Sequence, residues 1–146
     1  MHDLGLLAQD ISILHRSYYK DTAVAFRKYG LNPTAVCILL AVRSAPGINQ
    51  QRISEYLAID KGLTTREVSK LEDAGYVQRV SGRGKSLALD ITPVGERIVG
   101  EVSRIRAGWW RERFRESGVD EHTELLSGIE RVVHTLTGTL GEDTRQ

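Results

Sequence analysis

The sequence predicts a mainly α-helical fold with a small β wing, and three observations predict it. Residues 47–92 set out two short amphipathic stretches, a glycine stop and two strand-like segments around a Gly/Arg/Lys loop, the order of a winged helix-turn-helix. A polar N-cap residue followed by proline occurs at Asn32-Pro33 and again at Thr92-Pro93, and each pair marks a helix start. Apolar residues recur at steps of three and four at both ends of the chain, so helices flank the winged module.

The elements follow in order. Leu4, Leu7, Ile11, Leu14 and Tyr18 give one apolar stripe to a helix over 4–29, which Gly30 ends. Asn32 and Pro33 open a second helix whose buried face holds Val36, Leu39 and Leu40, and Pro46-Gly47 stops it. Asn49 caps a short third helix with Ile53 and Leu57 turned inward. Ala58-Ile59-Asp60 is the turn, with Asp60 as N-cap of a fourth helix over 61–74 held by Val68 and Leu71. Gly75 stands where a left-handed residue ends that helix.

Residues 76–80 have strand character, and Leu87, Leu89 and Ile91 alternate with Ser86, Ala88 and Asp90 as in a half-buried strand. Ser81-Gly82-Arg83-Gly84-Lys85 is the hairpin loop between them. Thr92-Pro93 starts a long helix over 93–116 with Val94, Ile98, Val102, Ile105 and Trp109 on one face, and Ser117-Gly118 breaks it. Asp120 is the expected cap of a last helix on which Leu125, Ile129, Val132, Leu136 and Leu140 share a face.

The central part folds as a compact module in this reading. The stripes of the first and last two helices lack a partner in it. They are expected to pack against each other between two copies of the chain. The expected division is a helical dimerisation region at 1–30 and 93–146, and a winged DNA-binding domain at 31–92.

Bulk properties narrow the function. Twenty basic and nineteen acidic residues leave a net charge of +1, so any charge that binds nucleic acid is local. Cys37 is the single cysteine, so no internal disulfide forms, as suits a reducing cytoplasm. The N-terminus lacks a basic region ahead of its apolar residues, unlike a signal peptide, and no apolar run nears the roughly 20 residues of a membrane span. The histidines lack metal-ligand spacing, and no nucleophile–base pair or phosphate-binding glycine loop occurs, so neither a cofactor nor an enzyme is expected.

The ordered set Leu31-Asn32-Pro33, Pro46-Gly47, Ile53 to Leu57, Asp60-Lys61, Leu71-Glu72, Gly75-Tyr76-Val77 and Ile91-Thr92-Pro93-Val94-Gly95 resembles the MarR family of bacterial transcriptional regulators over nearly the whole chain. The resemblance implies a dimer built by the terminal helices, with two winged modules on a palindromic operator. One departure concerns the wing, where the family usually carries an Asp and, two residues on, an Arg. Arg83 and Lys85 hold those places here, so the acidic partner is missing and the arginine's role falls to Lys85 or Arg83.

The candidate DNA-binding residues are Gln50 and Gln51 on the third helix, Lys61, Gly62, Thr64, Thr65, Arg66 and Lys70 on the fourth, and Arg79, Arg83 and Lys85 through the wing. Arg66 is the first candidate base reader, because a guanidinium pairs bidentately with guanine O6 and N7, and Thr65 is the next. Leu63 either touches a thymine methyl or packs. Gln50 and Gln51 sit where free N–H groups hold phosphates. Arg79, Arg83 and Lys85 read as a basic run without acids.

Cys37 lies between Val36 and Ile38 and reads as a small core residue rather than a peroxide sensor. His15, Tyr18, Tyr19, Trp109 and Trp110 either line an effector pocket, where relatives bind aromatic acids, or form the dimer core. The expected protein is a homodimeric, cytoplasmic repressor of a palindromic operator on double-stranded DNA, released by a small aromatic effector. The alternative is a winged-helix protein-interaction module, an antirepressor or scaffold, without specific DNA binding.

Overall fold

The computed structural model describes residues 2–81 and 87–140. Helix α1 runs Leu7–Phe26 between single 3-10 turns at Leu4–Leu6 and Arg27–Tyr29, and Gly30 reverses the chain at φ 73°. Helix α2, Pro33–Ser44, starts where the Asn32 side chain accepts a hydrogen bond from the Ala35 N–H at 2.8 Å. Helix α3, Gln50–Leu57, is capped in the same way by Asn49, which accepts from the Arg52 N–H at 2.8 Å. Helix α4, Lys61–Asp73, begins at Asp60, which accepts from the Gly62 and Leu63 N–H groups. In each case a short polar side chain satisfies donors that the first helical turn leaves open.

Strands β1, Val77–Ser81, and β2, Leu87–Ile91, pair antiparallel with Val77 opposite Ile91 and Arg79 opposite Leu89. Ile48 adds a bridge to Leu89 on the other edge of β2, with hydrogen bonds Gly47 N–H to Leu89 O and Leu89 N–H to Ile48 O. Both Ala88 and Leu89 are therefore buried, although simple alternation predicts one covered face. Helix α5, Pro93–Ser117, is locked at its start: Thr92 Oγ1 donates to the Gly75 carbonyl at 2.6 Å and accepts from the Gly95 N–H at 3.0 Å. A Cβ on Gly95 would stand 2.2 Å from the Tyr76 carbonyl oxygen, so only glycine allows α5 to cross β1 this closely. Helix α6, Leu125–Thr137, follows a turn region after Gly118.

The core gathers Ile38, Leu39 and Val42 of α2, Ile53 of α3, Val68 and Leu71 of α4 and Leu89 of β2. It also takes in Phe26 at the end of α1 and Val99 and Val102 of α5. The winged module and the flanking helices thus share one core. The expectation that those helices find no partner in the module holds only for their outer parts. There, Leu7, Ile11 and Leu14 of α1 and every apolar residue of α6 are exposed, and α6 has no buried residue.

Two expectations for the last helix change. Asp120 accepts from the His122 N–H at 2.9 Å inside the preceding turn, whereas α6 starts at Leu125 behind Glu124, whose side chain makes no cap bond. Leu140 leaves the α6 stripe and packs on the core instead, because Gly138 ends the helix at φ 69°, ψ −167°.

Candidate nucleic-acid interface

Helices α3 and α4 are joined by a turn in which Ala58 adopts the left-handed conformation, φ 54° and ψ 46°. The pair is fixed from inside by a hydroxyl chain. Ser54 Oγ donates to Thr64 Oγ1 at 2.9 Å, and Thr64 Oγ1 donates to the Asp60 carbonyl at 2.9 Å. Both side chains are buried, as such hydroxyls must be partnered to be. Thr64 is therefore corrected from a DNA-binding candidate to the internal fastener of the two helices.

The outer face of α4 exposes Lys61, Gly62, Thr65, Arg66 and Lys70. Thr65 Oγ1 lies 3.0 Å from Gln50 Oε1, so the structure brings these two candidates together across the turn. Gln51 Nε2 donates to Glu55 Oε1 within α3 at 3.2 Å. The side chains of Lys61 and Arg66 make no hydrogen bond or ion pair among the described residues. Lys70 pairs with Glu67 at 3.4 Å yet keeps a largely exposed side chain.

Arg79 is not part of an acid-free run: its Nε donates to Glu72 Oε2 at 2.9 Å, an ion pair that reaches from β1 back to α4. The other two wing candidates, Arg83 and Lys85, lie outside the described residues.

Sequence reasoning passed over Glu67. It sits on α4 with its carboxylate nearly fully buried, accepting from Asn32 Nδ2 at 3.2 Å and from Lys70, while Oε2 has no partner. Asn32 thus caps α2 with one side-chain atom and holds the inner face of α4 with the other. The signal was present as a glutamate one turn before Lys70 and one residue before core Val68, a position that faces inward on a helical wheel.

The candidate effector residues divide. Tyr18, Trp109 and Trp110 interlock, with ring centroids 5.4 Å apart for Tyr18–Trp109 and 4.8 Å for Trp109–Trp110. His15 and Tyr19 pair with each other at 6.0 Å along α1. None of the five lines the cavity of about 160 Å³ found beneath them. Its walls come from Cys37 and Ser44 of α2, Tyr56 of α3, Arg106 of α5 and Leu140. Arg106 joins the two regions, because its Nε donates to Tyr18 Oη at 3.3 Å while the residue also borders the cavity. Burial pushes the Cys37 thiol and the Tyr18 phenol up from their ordinary values, and the Arg106 charge only partly opposes this. Burial thus disfavours the thiolate of Cys37, a part-buried wall residue.

A capped helix pair, a buried fastener behind it and an antiparallel wing beside it define a winged helix-turn-helix protein. Known proteins show what this chain is similar to. A model described as MarR family matches residues 29–85. The HTH-type transcriptional regulator BilQ of Clostridioides difficile is 30% identical over 79 residues, 53% of this chain and 53% of its own length, so the match spans about half of that relative. A MarR transcriptional regulator from Methanosarcina mazei superimposes with a TM-score of 0.81 at 28% identity, covering 92% of each chain. CouR from Rhodococcus jostii, bound to p-coumaroyl-CoA, has the same fold, with a TM-score of 0.75 at 18% identity over 92% of this chain and 91% of its own. Residues 29–85 thus match the MarR family, and 92% of the chain superimposes on a MarR transcriptional regulator.

Proposed function

We propose that this chain is a homodimeric repressor that reads a palindromic operator on double-stranded DNA with α4. The observation that carries the reading is the outer face of α4, where Lys61 and Arg66 stand exposed and unpaired among the described residues on a helix fixed from behind. A rigid helix that offers a guanidinium and a threonine hydroxyl to a groove is the physical requirement for reading base edges. Thr65 and Gln50 act as a coupled pair at the same face. Lys61, Lys70 and Gln51 serve phosphates, joined by Arg83 and Lys85 from the wing, while Arg79 is drawn toward Glu72.

The exposed apolar residues of α1 and α6 supply the dimer surface, and two-fold symmetry sets the reading helices roughly 34 Å apart. An effector with an apolar body and an anionic group suits the cavity, which offers Leu40 and Leu57 beside Arg106. The p-coumaroyl-CoA bound by CouR is a precedent for a ligand with an aromatic acyl group in this fold. Its occupancy releases DNA if it favours a separation that misses the operator.

The test is a fluorescence-anisotropy titration with DNA from upstream of the chain's own gene against a scrambled control at near-physiological salt. The expected result is nanomolar binding to the first and at least roughly a thousandfold weaker binding to the second. Equal weak binding to both, and to an enriched random pool, would count for a protein-interaction module instead.

A further inference from the structure

The end of α6 makes a contact that DNA reading does not require. Arg52 of α3 directs its guanidinium at the carbonyls that close α6: Nη1 and Nη2 donate to Thr137 O at 3.3 Å, and Nη2 to Thr139 O at 3.4 Å. The Thr137 oxygen belongs to the helix terminus, where carbonyls lack internal partners and the helix dipole is negative, and the Thr139 oxygen lies two residues beyond it, so a forked cation suits the two. The same guanidinium lies over the Tyr56 ring, 5.7 Å from its centre. Gly138 sits between the two carbonyls at φ 69°, ψ −167°, a conformation open essentially to glycine alone. That kink turns the chain off the helix axis and delivers Leu140 to the cavity wall, beside Cys37, Tyr56 and Arg106.

We propose that residues 137–140 form a strap that closes the Cys37 cavity, with Leu140 as its plug and Arg52 as its clasp. A molecule that enters the cavity displaces Leu140 and loosens the hold of Arg52 on the end of α6, so strap and ligand compete for one space. The regulatory consequence rests on the effector-responsive reading above, whereas the strap itself does not. It also couples the first helix of the DNA-reading pair to the helix whose outer face is apolar.

Cys37 is the only cysteine, so any thiol label reports on this cavity. The experiment follows the reaction of the full-length protein with N-ethylmaleimide, a neutral reagent, at fixed pH and at several urea concentrations below the unfolding transition. Leu140→Ala and Arg52→Leu are each expected to label about tenfold faster than the wild type, with little urea dependence, as a local opening requires. Arg97→Ala, on the exposed face of α5, is expected to label at the wild-type rate. Wild-type rates in both strap variants would overturn the proposal. So would acceleration that carries the full urea dependence of global unfolding, since the whole fold rather than the strap would then be opening. The assay contains no DNA, so its failure leaves the operator reading standing, and a failure to find an operator leaves the strap standing.

Discussion

The winged module and the outer parts of the terminal helices solve the same problem in opposite ways. In the module, apolar side chains such as Leu39, Ile53 and Leu71 are fully buried and each helix start has a side-chain cap. In α6, Leu125, Ile129, Val132 and Leu136 are exposed and the first turn has no such cap. The module therefore holds its shape through contacts within one chain. The α6 face reaches a comparable state only against a second surface, since contiguous exposed apolar area of this kind marks an interaction site.

The sharpest way to break the comparison is to damage each region in turn. Leu39→Ala is expected to cost about 2–5 kcal/mol of stability in urea unfolding, because the site is enclosed and cannot collapse freely. Ile129→Asp is expected to leave the module's hydrogen-exchange protection intact while sedimentation reports a monomer. A protein that stays dimeric after that change would move the interface elsewhere.

Within the module, neighbouring threonines separate fold from function. Thr64→Val removes the bonds of the Thr64 hydroxyl to Ser54 and to the Asp60 carbonyl, while Ser54 keeps the Gln50 carbonyl, and should lower stability by about 0.5–1.5 kcal/mol, read from chemical unfolding. Thr65→Val, one residue on, should leave the unfolding midpoint alone. Arg66→Ala is expected to weaken operator binding by about 1–3 kcal/mol and to relax preference at one base position per half-site. A loss that is equal on all sequences would reassign Arg66 to phosphate.

The smallest effect concerns alkaline pH. Cys37 titrates higher in the folded protein than in the unfolded chain, so its contribution to stability is complete below the ordinary thiol pKa of about 8.5 and declines as pH rises through the folded value. Cys37→Ala should flatten that decline in unfolding free energy measured across the alkaline range. An unchanged slope would leave Tyr18, which is shifted in the same direction, as the group responsible.

Legibility from sequence follows the same division. Caps and breaks are local chemistry, so Asn32, Asn49, Asp60, Gly75 and Gly118 could be read directly and the helices begin and end beside them. Asp120 misled because a capping side chain serves a turn as readily as a helix. The inward role of Thr64 and the acidic neighbour of Arg79 are hidden for a different reason: their partners, Ser54 and Glu72, are set by how helices and strand cross. Leu140 continued the apolar period of α6, and only the backbone at Gly138 sends it elsewhere. The cavity was out of reach of any pattern, since α2, α3, α5 and the segment after α6 meet there from distant parts of the chain.

The missing side chain at Gly95 has a mechanical meaning. Helix α5 has 25 residues, which at 1.5 Å per residue makes a rod of about 37 Å seated against the Tyr76 carbonyl near its start. A tilt of about 5° at that seat carries the far end through roughly 3 Å, close to the rise of one base pair. An added methyl group at position 95 would act as a shim under this rod, and in the dimer proposed above it would alter the separation of the two α4 helices without touching a single residue on their outer faces.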